Sequence, residues 1–414
     1  MPDAHVPRAP LEIIDPDWYG KHGPPHAAWA QLRRAAPVAY CEPPGMLPFW
    51  AIVRHDDIVR ISRDPEHFQN APRLAVFPEE QFATDNFPVR HLLNMDPPEH
   101  RHYRHLLSGH FTPRAVEAKR AAVERLVDEI LDGVAGRTEI DFVTDVAAVM
   151  PIAVIAEMLG LPSEDRPLFF RWTNETLGAT DPEYQDGATV SETTARAVQA
   201  QKEYFARMIE MRRRQPTDDF MGILANAKLD GTWIPDFELL SYLILLIVAG
   251  NETTRNAASG GLLALIQNTG EWAKLQRDPD LVRSATEEVV RWVTPVNQFC
   301  RTPVEDVELH GQRIRAGEQL CLFYGSANRD EAVFDDPFAF RVDRDPNWHI
   351  GFGIGEHVCL GAHLARLELQ VLFHKLVERV EHFALAGPVE RLQSSFISGI
   401  KHLPVRLTLR KGSL

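Results

Sequence analysis

The sequence predicts a mainly α-helical protein with a minor β region, forming a single domain over residues 1–414. Three observations carry this. Helix-period apolar patterns follow one another from residue 100 to residue 293. Short alternating stretches, the strand period, concentrate near 298–322 and 383–409. No Pro/Gly/Ser-rich linker, repeat or low-complexity tract divides the chain, so one large core is expected from a length that would allow two or three domains.

Taken in order, residues 1–47 carry many prolines and read as irregular, with 1–20 as an N-terminal arm. Residues 49–53 read as a strand and 56–63 as a short helix. Residues 65–95, with Pro72, Pro78 and Pro88, read as a long loop or a short broken helix, and long loops in compact proteins are often functional. Helices are expected over 100–108, 113–134, 143–159, 166–176 and 191–214, with a start signal at Pro162-Ser163-Glu164-Asp165 and a break at Gln215-Pro216. A helix from Asp236 to about Gln267 would be roughly 45 Å long. Another covers 280–293 and stops near Pro295. Residues 329–348 read as irregular, and a helix after Cys359 runs to about Val380.

Lys and Arg number 44 against 58 Asp and Glu, a formal charge of −14, which argues against a general nucleic-acid binder. Cys41, Cys300, Cys321 and Cys359 lie far apart without a C-x-x-C pair, so neither a zinc framework nor a disulfide scaffold is expected. Residues 1–15 lack an apolar signal core. The most apolar run, 239–250, falls short of the about 20 residues a bilayer span needs. A cytoplasmic protein with no membrane span is expected.

The run Phe352-Gly353-Ile354-Gly355-Glu356-His357-Val358-Cys359-Leu360-Gly361 is the most informative stretch. Glycines precede a lone thiol, and an amphipathic helix follows it. Glycines let backbone approach a large flat object closely, and a helix N-terminus favours thiolate over thiol. The combination suits a thiolate bound to a metal whose other ligands come from something flat, such as haem. A dinucleotide site fails here: Gly351 and Gly353 supply G-x-G, but Glu356 occupies the third glycine position.

The pattern at Phe352, Gly355, His357, Cys359 and Gly361 resembles the haem-binding loop of the cytochrome P450 family. The resemblance implies an α-rich triangular prism with haem b between two long helices, Cys359 as the axial ligand and Phe352 shielding its sulfur. A second stretch supports it. In Ala249-Gly250-Asn251-Glu252-Thr253-Thr254, Gly250 weakens the helix by ~1 kcal/mol. Thr253 can bond the carbonyl of Ala249, which bends helices. Together these predict a local opening beside a small ligand. The run resembles the family's oxygen-activation motif, which implies a catalytic hydroxyl at Thr253 and proton delivery by Glu252. His100, Arg104, Arg301 and His357 resemble the contacts to the haem carboxylates. Glu288 and Arg291 share a helix face and resemble the family's structural Glu-x-x-Arg. The downstream partner segment, however, has Ala339 where Arg is common, leaving Arg341, Arg344 or His349 as substitutes.

The family implies RH + O2 + two electrons + two protons giving ROH + H2O. Electrons would come indirectly from NAD(P)H, through a ferredoxin reductase and an acidic ferredoxin that docks on Arg101, Arg104, Arg114, Lys119, Arg120, His363 and Arg366. An apolar substrate pocket is expected at Val248, Ala249, Val296, Phe299, Phe396 and Ile397, with 70–93 and 168–185 as a lid. Residues 249–256, Asp181-Pro182-Glu183-Tyr184, 291–296 and 399–402 resemble actinobacterial steroid side-chain hydroxylases, and some terpene-alcohol hydroxylases share parts of this. A sterol side chain or terpenoid is therefore the implied substrate. A peroxide-driven fatty-acid peroxygenase and a non-catalytic haem sensor or carrier remain the alternatives. Glu252 and Thr253 argue against both, since neither needs a proton relay.

Overall fold

Pro10, Pro16 and Pro25 sit where helical turns begin rather than where they would break. In the computed structural model, which describes residues 6–76, 90–187 and 189–410, helix α1 (Pro16–His22) starts on Pro16, and the Asp15 carboxylate accepts the Asp17 N–H. Pro25 precedes α2 (His26–Ala35). Ile13, Tyr19, Trp29 and Leu32 then bury in one apolar cluster with Phe49 and Phe323. The expectation of an irregular 1–47, and of an irregular arm over 1–20, is therefore corrected for residues 6–47: apolar burial overrides the proline count.

Strands β1 (Val38–Cys41) and β2 (Phe49–Ile52), helix α3 (His55–Ser62) and β3 (Phe68–Gln69) follow. Helices then dominate: α4 (Glu99–Ser108), α5 (Pro113–Glu117) and α6 (Arg120–Val134). Strand β4 (Glu139–Asp141) leads to α7 (Val149–Met158), α8 (Arg166–Leu177), α9 (Val190–Arg214) and α10 (Phe220–Ala225). A small hairpin, β5 (Lys228–Leu229) and β6 (Thr232–Trp233), precedes α11 (Asp236–Gln267), α12 (Thr269–Arg277) and α13 (Val282–Val293). After β7 (Gln298–Pro303), β8 (Val307–Leu309), β9 (Gln312–Ile314), β10 (Leu320–Phe323) and α14 (Tyr324–Ala327), a turn-rich stretch carries the cysteine loop into α15 (Ala362–Arg379). Strands β11 (Val380–Leu385), β12 (Glu390–Arg391), β13 (Ile400–His402) and β14 (Pro404–Leu409) close the fold. The helix expected over 113–134 splits into α5 and α6. The one expected over 143–159 opens with a wide turn, in which the Ala148 N–H reaches back five residues to Val143 O at 2.9 Å. Helices α10 and α12 and the β5–β6 hairpin were too short to stand out by periodicity.

The main sheet runs β1-β2-β10-β7-β3, parallel only between β2 and β10. Helix α11 organises the helical layer. Asp236 and Glu238 in its first turn complement the positive end of its dipole. Gly260 and Gly261 let it touch its neighbours: a Cβ at Gly260 would lie 2.7 Å from Val293, and one at Gly261 would lie 2.7 Å from Phe373. The length and apolarity of α11 would allow it to cross a membrane, yet it packs within this chain against α7, α8, α9, α13 and α15. It is a core helix.

Candidate active site

Two glycines fix the cysteine loop. Gly353 and Gly355 adopt φ of 69° and 79°, a region that side chains avoid. A Cβ on Gly355 would also lie 2.2 Å from the Ser62 carbonyl oxygen, so the loop presses against the end of α3. The Cys359 N–H closes the loop onto Phe352 O at 2.8 Å. Cys359 is exposed, unlike Cys41, Cys300 and Cys321, which are buried. The surrounding protein nevertheless pushes its thiol up, against the pull of the Gly361 N–H, Arg104 and Arg366. A sulfur both accessible and desolvated lines a recess. A Cβ at Gly361 would meet nothing within 4 Å, so that glycine leaves open space beside the sulfur.

Phe352 packs at the edge of the main core. Arg366 lies over its ring at 4.3 Å and also grips Glu287, with Nε to Oε1 at 2.7 Å. Burial alone would raise Glu287, but His349 and Arg366 hold it down at about 2.

Helix α11 supplies the opposite chemistry. Ala249 is exposed, and Gly250 and Thr253 are half-buried, midway along a helix whose other faces are buried. This stretch borders a hollow. The Thr253 hydroxyl donates to Ala249 O at 2.9 Å, the back-bond expected from sequence. The expected local opening does not follow: α11 is uninterrupted from Asp236 to Gln267. The hydroxyl adds a bond to a carbonyl without displacing its helical partner, and Gly250 faces Ile155 at an ordinary 3.5 Å. Glu252 is 1% exposed, so it is no surface acid. Its Oε1 accepts from Arg255 and from Asn256 Nδ2 at 3.0 Å, while its buried Oε2 has no hydrogen-bond partner among the described residues. Arg255 is held in turn by Asn174 Oδ1 of α8 at 2.7 Å.

The four expected carboxylate contacts converge. The rings of His100 (α4) and His357 lie 4.1 Å apart. Burial pushes His357 down to about 2, helped by His100, Arg301 and Arg104, which places all four side chains around one spot. His100 is lowered by burial and then by Arg104. Arg104 donates to Val358 O at 2.8 Å, and Arg301, 4% exposed, to Cys300 O at 2.7 Å. Two buried ring nitrogens, His100 Nδ1 and His357 Nε2, lack partners among the described residues. Buried donors normally find acceptors, and a cluster of cations and orphaned ring nitrogens wants an anion. A recessed sulfur, open space beside it and this anion cradle fit a haem with its carboxylates.

The candidate pocket residues separate into two groups. Val296, Phe299, Phe396 and Ile397 form one apolar cluster with Ala75, Leu392, Leu177 and Tyr184, and Val296 bridges Ile397. Val248 instead belongs to the main core. Tyr184 and Leu392 escaped sequence reasoning as wall residues, although Tyr184 stood within the noted Asp-Pro-Glu-Tyr stretch. Of the expected lid, residues 77–89 lie outside the described residues, while 168–185 forms most of α8 and the turn after it.

The expected docking cations are partly committed elsewhere. Arg101 pairs with Glu356, Arg120 with Glu117 and Arg366 with Glu287. Arg114 and His363 are exposed. The Glu288–Arg291 pair is buried, with Nε to Oε2 at 2.7 Å. Arg344 supplies its third member, and His349 turns to Glu287 instead.

A family model described as cytochrome P450 matches residues 16–394. The steroid C26-monooxygenase of Mycolicibacterium smegmatis is 36% identical over 390 residues, covering 92% of this chain and 90% of that protein. Cytochrome P450-terp of Pseudomonas sp is 34% identical over 427 residues, covering 98% and 97%. Among solved structures, CYP268A2 of Mycobacterium marinum in complex with pseudoionone superposes with a TM-score of 0.90 at 32% identity, covering 98% of this chain and 100% of that one.

Proposed function

This chain belongs to the cytochrome P450 family and is a haem-dependent monooxygenase, and from that premise we propose that it hydroxylates an unactivated C–H bond of a terpenoid or sterol side chain. The observation that carries the substrate class is the apolar wall of Val296, Phe299, Phe396 and Ile397 together with the accessible Ala249. The names of the relatives support it: a steroid C26-monooxygenase, and a structure complexed with pseudoionone.

When bound, haem ligated by the Cys359 sulfur supplies the oxygen activation. The chain's own residues do the rest. His100, Arg104, Arg301 and His357 neutralise the haem carboxylates. Phe352, with Arg366 on its ring, covers the sulfur side. The apolar wall excludes water and sets which C–H bond lies nearest the reacting centre. The Thr253 hydroxyl, now on Ala249 O, turns to donate a hydrogen bond into the hollow. When that hydroxyl passes its proton on, Glu252 returns one to its oxygen from Oε2, is left as the carboxylate paired with Arg255, and takes up a proton delivered from solvent. RH, O2, two electrons and two protons give ROH and H2O.

Electrons reach the site from a ferredoxin and its NAD(P)H-dependent reductase. The docking face includes Val358, 39% exposed and adjacent to Cys359, with Arg104 bonded to its carbonyl, and draws on the exposed Arg114 and His363. The protein works in the cytoplasm, with residues 1–414 acting as one domain. A screen of sterols, acyclic terpenoids and fatty acids tests the substrate class through the low-to-high-spin optical shift of the ferric protein, followed by product analysis with ferredoxin and reductase. Sterols or terpenoids are expected to shift it and be hydroxylated. A shift and turnover with fatty acids alone would overturn the assignment.

A further inference from the structure

The turn between α8 and α9 is tied to the C-terminal strands by an unusual density of polar contacts. The Thr180 hydroxyl donates to Gln393 O at 2.5 Å. The Asp181 carboxylate, fully buried, accepts the Gln393 N–H at 2.9 Å and Lys401 Nζ at 3.0 Å. Next along the chain, Glu183 accepts Lys401 Nζ at 2.9 Å and pairs with His402 Nε2 at 3.0 Å. The other His402 nitrogen, Nδ1, lies 2.5 Å from Asp141 Oδ2 on β4. The inner tie is buried and the outer one is partly exposed, with the His402 and Glu183 side chains 32% and 38% accessible.

The residue after Glu183 is Tyr184, whose ring belongs to the apolar wall with Val296, Phe299 and Phe396. It lies tightly over the start of the same turn: a Cβ on Gly178 would come within 2.7 Å of Tyr184 Cδ2. Arg255 and Glu252 of α11 both act electrostatically on its phenol, so the ring lies within reach of their charges as well as against the wall. Its ring is only partly buried within that cluster, so it borders the space the cluster lines. Its backbone is held on one side by Glu183.

We propose that Tyr184 is a substrate-positioning residue and that the charged latch Glu183–His402–Asp141 holds it in the pocket wall, gating ligand exchange. This rests on the monooxygenase reading for its substrate, but the latch itself is a property of the chain. His402 bridges two carboxylates best as an imidazolium. The groups facing it are Asp141 from β4, Glu183 from the α8–α9 turn, Glu390 from β12 and its own neighbour Lys401. Burial lowers the imidazole, but the bonds to Asp141 and Glu183 outweigh it and leave His402 above its ordinary value. The latch is therefore complete below the ordinary imidazole range and is lost as pH rises through the elevated value. Beyond that point two carboxylates face a neutral ring, and the turn keeps only its ties to Lys401, through Glu183 and Asp181, and to the Gln393 backbone, so it opens more often.

The test follows 4-phenylimidazole, an apolar azole that shifts the haem absorption band on binding, by stopped flow on the haem-loaded ferric protein. Hydrogen–deuterium exchange over residues 178–187 is measured on the same samples. Wild type is expected to release the azole faster as pH rises through the latch's titration. His402→Gln should release it about fivefold faster at low pH, the equivalent of one lost ion pair of ~1 kcal/mol, with faster amide exchange in the turn and no pH step. Glu183→Gln should behave alike, and His402→Arg should stay slow and flat with pH. Tyr184→Ala should weaken binding without a new pH dependence. Unchanged azole release and amide exchange in both His402→Gln and Glu183→Gln would overturn the latch, even in an enzyme that hydroxylates normally. A responsive latch in a protein that oxidises no sterol or terpenoid would uphold it and remove the substrate reading instead.

Discussion

Arg344 stands 3.1 Å from Glu288, Nε to Oε2, and completes the buried ion-pair network to which Ala339 brings no side chain. Ala339 contributes its carbonyl instead, accepting Arg344 Nη2 at 2.8 Å and Arg291 Nη2 at 3.2 Å. Arg341 gives only its backbone N–H to Glu288, at 2.9 Å. Glu288 and Arg291 are fully buried, so removing a partner leaves buried charge uncompensated.

Arg344→Ala is accordingly expected to destabilise the protein by about 3–5 kcal/mol, the range for breaking a buried pair. Arg341→Ala should stay within about 0.5 kcal/mol, as most exposed substitutions do. Urea unfolding of the two variants checks the contrast. Equal losses would show that Arg344 is not the third member.

A second prediction concerns Glu368 on α15. It is 2% exposed, its Oε2 has no hydrogen-bond partner among the described residues, and burial pushes it up to about 8 from an ordinary 4.5. The folded state thus holds a proton that the unfolded state gives up. The favourable contribution is full below pH 4.5 and is lost progressively as pH rises through about 8. Glu368→Gln keeps the shape without the charge. It should match wild type near pH 4.5 and exceed it by several kcal/mol at pH 8, since each pH unit climbed between those limits costs the wild type about 1.4 kcal/mol. Parallel stability–pH curves for the two proteins would contradict the assignment.

Thr253 is placed to act because its hydroxyl is half-buried beside the hollow and its present bond is local. Thr253→Ala should leave the fold and the ferric ligand shift intact, cut product formed per NAD(P)H several-fold and raise peroxide release. Thr253→Ser should restore most of the coupling. Peroxide and product yields measured together decide it, and unchanged coupling in the alanine variant would retire the residue from the reaction.

Features that lie within one stretch of chain were legible in the sequence. The cysteine loop needs two left-handed glycines six and four residues before its sulfur. The Thr253 back-bond reaches only four residues, to Ala249. Long helices announced themselves within their own stretch, α9 by a periodic apolar stripe and α11 by a sustained apolar run. What required the fold were partnerships across distance. Glu288 finds Arg344 56 residues later, and Glu183 finds His402 219 residues later. Local pattern cannot choose among Arg341, Arg344 and His349, since each offers an N–H donor to a carboxylate. The N-terminal helices were missed for a different reason: proline breaks a helix interior but starts a helix well, and only burial of Tyr19 and Trp29 tells the two apart.

Val248 and Phe299 were both expected to line the pocket, and the structure separates them. Val248 is buried in the main helical core, whereas Phe299 is half-buried in the cluster with Phe396, against whose ring it stacks edge-on at 5.6 Å. Val248→Ala should therefore lower stability by about 1–3 kcal/mol, as a core cavity does, while leaving the order of preferred ligands unchanged. Phe299→Ala should lower stability less, because part of that ring already faces open space. It should instead enlarge the pocket and shift the ferric spin-state response toward bulkier sterols over acyclic terpenoids. Titrating both variants with the two ligand classes, beside thermal unfolding, separates the outcomes. A changed ligand order in Val248→Ala with none in Phe299→Ala would place the substrate against α11 rather than against the β7 wall.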